Sequence, residues 1–160
     1  MNKKVVITVV VAVVIIGLFM WGNSTQKDNL VYFEGTEIIC LTNGHQRVAE
    51  HIHPQLRIFV DGVAETIPAN IGITQSCMSE IHTHDATGTI HVESFLTGRV
   101  AEFDMGDFFS VWKESLVREG YDLEITQDGI VKGSIEEVRF IDESVIELKY
   151  ISQSSEEIVE

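Results

Sequence analysis

The stretch LRIFVDGVAETI at residues 56–67 decides the first element of the fold. Apolar and polar side chains alternate up to Val60, and the Asp61-Gly62 pair that follows is a strong signal for a two-residue hairpin turn. Residues 63–67 have the composition of a returning strand, which Pro68 closes. The pattern therefore predicts an antiparallel β-hairpin at this point in the chain.

Outward from this hairpin, short strand patterns predominate, at residues 36–41, 81–85, 89–93, 121–126, 130–132, 138–141 and 145–151. One segment instead has helical spacing, with apolar residues three and four apart at Met105, Phe108, Phe109, Trp112 and Leu116. Asp104 and Asp107 are suited to its first turn, and Gly120 to its end. We expect an α+β domain, mainly antiparallel β, with one amphipathic helix packed on its core.

The amino terminus has the pattern of a membrane-targeting segment. Lys3 and Lys4 precede an apolar run over residues 5–21 that would extend about 25 Å as a helix, close to the thickness of a bilayer core. It predicts a single-pass helix with the N-terminus in the cytoplasm and the rest of the chain outside. A signal peptide cleaved near residues 22–24, leaving a secreted protein, is the alternative.

These features divide the chain into four parts. We predict an anchor or signal segment at residues 1–22, a polar tether at 23–30, an extracytoplasmic domain at 31–152 and an acidic tail at 153–160.

The charge balance narrows the choice of partners. The chain carries 25 acidic and 11 basic residues, a net charge of −14, and without Lys3 and Lys4 the remainder has a net charge of −16. Affinity for nucleic acid depends on basic residues that neutralise phosphates, so nucleic acid is excluded as a partner. An acidic surface instead attracts cations.

The chain has two cysteines, Cys40 and Cys77. In an oxidising compartment such a pair predicts a disulfide that stabilises the domain by about 3 to 4 kcal/mol. Two alternatives remain open at this stage, namely that Cys77 is a metal ligand or that both thiols are buried and free.

All six histidines lie within 47 residues, and four of them form two His-x-His pairs, His51 with His53 and His82 with His84. Side chains two residues apart in a strand point to the same side, so each pair shares a face. If residue 81 pairs with residue 92, Ile81 lies on the same face as Ile90 and Val92. That register places His82 opposite His91, and Glu80 opposite Glu93.

Imidazole and carboxylate ligands suit copper(II) or zinc better than calcium or magnesium. We expect a metal site built from His82, His84 and His91, with His51, His53 or Glu93, that serves metal binding, delivery or assembly. Binding is favoured over catalysis. Two alternatives are a non-metal interaction subunit of an envelope complex with structural histidines, and a small metal-dependent hydrolase with Glu93 or Asp85 as general base.

Several motifs together resemble a family of uncharacterised prokaryotic exported or membrane-anchored proteins. They are His-Ile-His-Pro-Gln-Leu at residues 51–56, Ile-Pro-Ala-Asn-Ile-Gly-Ile at 67–73, His-Thr-His-Asp at 82–85, Gly-Thr-Ile-His-Val-Glu-Ser at 88–94 and Phe-Phe-Ser-Val-Trp at 108–112. The resemblance covers about residues 50–150 and leaves Cys40 outside. It implies that these residues belong to one functional unit, and it implies no particular reaction.

Overall fold

The computed structural model describes residues 30–41, 45 and 48–153. These residues form an α+β fold with one α-helix and two β-sheets in which most strand pairs are antiparallel. The elements are β1 (Glu50–Ile52), β2 (Gln55–Val60), β3 (Val63–Glu65), β4 (Ile81–His82), β5 (His91–Ser94), α1 (Met105–Trp112), β6 (Tyr121–Gln127), β7 (Ile130–Lys132) and β8 (Val145–Ser152).

The larger sheet has the strand order β3-β2-β8-β6-β7 and contains the predicted hairpin. Val60 pairs with Val63 across the turn, where Asp61 and Gly62 both have positive φ angles of 48° and 80°. Positive φ at both central positions is the signature of the turn that matches strand twist. One pair departs from the antiparallel pattern, because β2 and β8 run parallel.

The smaller sheet has the strand order β1-β5-β4 and carries three of the six histidines, His51, His82 and His91. Ile81 pairs with Val92 and His82 with His91, which confirms the predicted register. The side chains of Ile81, Ile90 and Val92 are fully buried, so this face of the sheet forms part of the core. The backbone N–H of Glu93 donates to the carbonyl of Glu80, so the two residues are neighbours. The strand pairing itself begins at Ile81, and the N–H of Glu80 donates instead to the carbonyl of Ile39.

Several of the predicted strands are shorter than expected or missing, and β3 ends at Glu65 instead of residue 67. Strand β4 ends at His82 because the next residue, Thr83, turns away and bonds to the carbonyls of Pro68 and Ile71. His84 is therefore not paired with Thr89. Residues 36–41 make only isolated bridges, since Thr36 closes a turn onto Phe33.

Residues 138–141 also form no strand. The side chain of Gln127 takes the place of a strand partner, because its Nε2 donates to the carbonyl of Arg139 and its Oε1 accepts from the N–H of Arg139. A buried glutamine can thus satisfy both backbone groups of one residue without a neighbouring strand.

Helix α1 begins with a capping box in which Asp104 and Asp107 each accept from the other's backbone N–H. It ends earlier than predicted, at Trp112, because Lys113 adopts a left-handed conformation with φ 65°. Leu116 and Gly120 therefore lie beyond the helix. Phe108 and Phe109 are buried in the core, as the aromatic stripe predicted.

Cys40 and Cys77 form a disulfide with a Cα–Cα distance of 5.1 Å. Cys40 also bridges to Ser79, and the N–H of Leu41 donates to the carbonyl of Met78. The disulfide therefore fastens the segment around Cys40 beside the start of β4.

The predicted membrane segment at residues 1–22 lies outside the described residues, as do residues 23–29 of the tether and 154–160 of the tail. Within the part that the structure does describe, no helix is both long enough and apolar enough to cross a bilayer.

Gly88 precedes β5 and its carbonyl accepts from the N–H of Leu56 in β2, and we predict that it tolerates no side chain. It has φ +84°, and a Cβ there would lie 2.3 Å from the carbonyl oxygen of Leu56. Gly88→Ala should lower the free energy of unfolding by about 3 kcal/mol, because backbone strain and a steric clash add. Gly62→Ala is the matched control, with φ +80° but open space around it. Equal losses in the two variants, measured by chemical denaturation, would contradict the prediction.

The disulfide should contribute a large part of the stability. The two cysteines are 37 residues apart in sequence, and cross-linking a loop of that length stabilises a fold by about 4 kcal/mol. The double variant Cys40→Ser/Cys77→Ser should lose about this much in denaturant unfolding. The reduced wild-type protein should lose a similar amount, whereas unchanged stability on reduction would refute the expectation.

Candidate metal centre

The centre is built on one face of the three-stranded sheet. His91 and Glu93 are two residues apart on the middle strand β5 and point to the same side. His82 on β4 lies directly opposite His91, and His51 on β1 lies directly opposite Glu93. Strand pairing alone therefore brings these four side chains together.

Three further histidines complete the cluster. His53 follows His51 by two residues, and the centroids of the two rings are 4.3 Å apart. His84 likewise follows His82 by two residues. The Nε2 atoms of His84 and His82 are 3.2 Å apart. His45 comes from the segment before β1, and its Nδ1 lies 2.7 Å from Oε1 of Glu93.

The cluster has a buried floor and an accessible rim. His82 and Glu93 are fully buried, while His91 is one-fifth exposed. His45 and His84 are exposed to solvent, and the side chain of His51 is about one-third exposed. An ion from solution can therefore approach through the exposed histidines and contact donor atoms of the buried His82 and Glu93.

Glu93 lies at the centre of the histidines. Its Oε1 is 2.7 Å from Nδ1 of His45 and 2.9 Å from Nε2 of His51. The same oxygen is 3.9 Å from Nε2 of His82 and 3.9 Å from Nδ1 of His91. Four imidazole nitrogens from four different segments thus surround one carboxylate oxygen.

The other oxygen of this carboxylate, Oε2 of Glu93, is buried and accepts no hydrogen bond from any residue that the structure describes. Glu80, its equally buried neighbour across the strands, differs sharply. Glu80 accepts from the N–H of Ile39 and the hydroxyl of Ser94, and it forms an ion pair with Arg99. Burying a carboxylate costs free energy unless it is paired with a cation and hydrogen-bonded. Glu80 has such a cation in Arg99, whereas the contacts of Glu93 are imidazoles and its Oε2 has no hydrogen-bond donor among the described residues.

Three histidines of the cluster, His82, His91 and His51, have lowered pKa values that favour the neutral ring. Burial, together with the neighbouring histidines, lowers the pKa of His82 to about 3. Burial likewise lowers the pKa of His91 to about 4. For His51, burial lowers the pKa although Glu93 acts in the opposite direction. Neutral imidazole is the form that binds metals, so these rings are ready to bind at neutral pH.

Two ring orientations also favour metal binding. Nδ1 of His82 donates to the carbonyl of Ser79 over 2.9 Å, which leaves the lone pair of Nε2 facing the cluster. The carboxylate of Asp142 lies 3.5 Å from Nδ1 of His53. Oxygen partners behind a ligating histidine fix its tautomer and ring direction in metal sites.

The nitrogen spacing matches a ligand shell. Ligand atoms bound at 2.0–2.1 Å around a tetrahedral ion lie about 3.3 Å from one another. The His82–His84 pair and the pair of His51 Nε2 with His91 Nδ1 are both separated by 3.2 Å. Groups of three donors, all within 4.8 Å of one another, occur four times in the cluster.

The structure brings together all six residues predicted for the site, namely His51, His53, His82, His84, His91 and Glu93. It adds His45, which the sequence places in the same 47-residue span but which has no His-x-His partner to indicate a shared face. Asp85 does not belong to the metal-binding groups found among the described residues, because its carboxylate accepts from the N–H and hydroxyl of Thr87.

The lowered pKa of His82 predicts that acid destabilises the metal-free protein. Between pH 6.5 and about 3 the unfolded chain protonates this residue and the folded chain does not. From pH 7 to pH 5 the free energy of unfolding therefore falls by about 1 kcal/mol per pH unit from this group alone. Chemical denaturation at pH 7, 6 and 5 measures the slope. His82→Gln should flatten it by that amount, and an identical slope in the variant would rule out this origin.

No protein-family model matches this chain, and no curated protein and no solved structure matches it either. The functional conclusion therefore depends on the chemistry of the histidine cluster itself.

Proposed function

We propose that this protein binds a divalent transition metal ion, copper(II) or zinc, through the cluster of six histidines and Glu93. The observation that carries the proposal is Glu93, whose fully buried carboxylate has four imidazole nitrogens within 3.9 Å of Oε1 and an unpartnered Oε2. A metal ion supplies the positive charge that this carboxylate lacks, and the surrounding nitrogens supply the remaining ligands.

The donor set supports the choice of metal. Imidazole nitrogens dominate the cluster, and zinc and copper(II) both prefer them, whereas calcium and magnesium require oxygen ligands. The two cysteines are joined in a disulfide, so they offer no thiolate to the site. Carboxylate and imidazole alone suit either metal.

We place the domain outside the cytoplasm, tethered by the N-terminal segment to a membrane. The apolar run with its two preceding lysines supports this location, as does the disulfide, because disulfides persist in oxidising compartments. The acidic surface supports attraction of cations to such a site. Metal capture, delivery to an envelope partner or metal-supported assembly would all use the centre in this position.

The competing interpretation is a metal-free network. In that case His84 donates its Nε2–H to His82, and ring N–H groups of His45 and His51 donate to Oε1 of Glu93. Such a network orders the sheet but has no dependence on metal, which makes the two functions separable by experiment.

Metal binding should be visible as thermal stabilisation. The full chain, purified without a histidine tag and stripped with a chelator, should show a higher melting temperature when zinc or copper(II) is added. A ligand at 100 times its Kd stabilises a protein by about 2.7 kcal/mol. The double variant His82→Ala/His91→Ala should abolish the increase. A melting temperature that neither metal changes, together with elemental analysis that finds neither in the protein as isolated, would refute the proposal.

Glu93→Gln and Glu80→Gln form a matched pair for this measurement. Both residues are fully buried, and a backbone hydrogen bond joins them. Glu80→Gln should lower the melting temperature yet preserve the increase with metal, because Glu80 interacts with Arg99 rather than with the histidines. Glu93→Gln should reduce the metal-dependent increase itself.

A further inference from the structure

The geometry points to a centre that holds two metal ions rather than one, with Glu93 as the carboxylate shared between them. This inference rests on the proposed function and specifies its stoichiometry and ligand assignment.

The cluster contains more donor side chains than one metal ion binds. Six histidines and one glutamate converge in the cluster, which is more than a single zinc or copper ion takes. Zinc in proteins is almost always bound by four ligands. A single ion would leave at least three of these side chains without a role at the metal.

The six histidines divide into two groups of three with no member in common. One triplet is His45, His82 and His84, and the other is His51, His53 and His91. Within each triplet the three donor nitrogens lie within 4.8 Å of one another. Each triplet also contains one His-x-His pair, which begins on β4 in the first triplet and on β1 in the second.

Glu93 lies between the two triplets. Its Oε1 lies 2.7 Å and 3.9 Å from His45 and His82 of the first triplet. It lies 2.9 Å and 3.9 Å from His51 and His91 of the second triplet. The carboxylate is thus almost equally close to both, and its free Oε2 provides the second oxygen that a bridging carboxylate uses.

Two ions would use all seven side chains of the cluster as ligands. Three imidazoles and one oxygen of the shared carboxylate give each ion four ligands, the number that tetrahedral zinc requires. Each triplet also has one histidine with an oxygen partner behind it, His82 with Ser79 and His53 with Asp142. The two halves therefore have the same design.

The test is a titration of the full, untagged, chelator-stripped chain with zinc, followed by elemental analysis after gel filtration. We expect two zinc ions per chain. In crystals grown with zinc, we expect two anomalous peaks about 3.5 to 4 Å apart, the usual separation in two-metal sites, with Glu93 between them. One ion per chain would overturn the paired centre and leave the proposed function intact. No bound ion would overturn both.

Variants in each triplet assign the ligands. His84→Ala removes an exposed ligand of the first triplet and His53→Ala removes a half-exposed ligand of the second, so neither should disrupt the core. Each should retain one tightly bound zinc ion and bind the other at least 10-fold more weakly. Asp85→Asn is the control, because Asp85 is next to His84 but bonds to Thr87, and it should retain both ions. Two tightly bound ions in both histidine variants would refute the assignment.

Copper(II) provides an independent signature. One equivalent should give the electron paramagnetic resonance signal of an isolated ion. A second equivalent should add less than one further spin, because two copper ions that share a carboxylate are magnetically coupled. A signal that doubles in full would show that the two ions are far apart and would overturn the bridging role of Glu93.

Discussion

The burial of Glu93 among imidazoles is the constraint on which the rest of the centre depends. Strand β5 places this carboxylate in the middle of a sheet, where solvent cannot neutralise it and no arginine or lysine within the described residues pairs with it. A fold tolerates such a group only if something positive reaches it. The neighbouring Glu80 shows the ordinary solution, since it is matched by Arg99 and by two hydrogen-bond donors.

The geometry of the centre follows from the two faces of β5. Val92 points into the core, so His91 and Glu93 must point the other way. A slip of one residue would expose Val92 and bury the chelating side chains, so the hydrophobic effect that fixes the register also fixes the ligand positions. Packing of an ordinary apolar core thereby determines the position of every ligand that the strands carry.

Sequence patterns predicted the local parts of this arrangement. The hairpin at Asp61-Gly62, the pairing of Ile81 with Val92 and the sharing of a face by His82 and His84 all depend on alternation between neighbouring residues, and all are present. The parts that the sequence did not predict depend on distant contacts. No local pattern places His45 next to Glu93, and none shows that the side chain of Gln127 replaces a strand beside Arg139.

The disulfide has a consequence for self-association. Strand β4 is at the edge of the three-stranded sheet, and an open edge offers unpaired backbone groups to strands of other molecules. The segment held by Cys40 exchanges backbone hydrogen bonds with Met78 and Glu80 along this edge. The cross-link thus holds this segment beside the border of the sheet, where it occupies backbone groups that an incoming strand of another molecule would need.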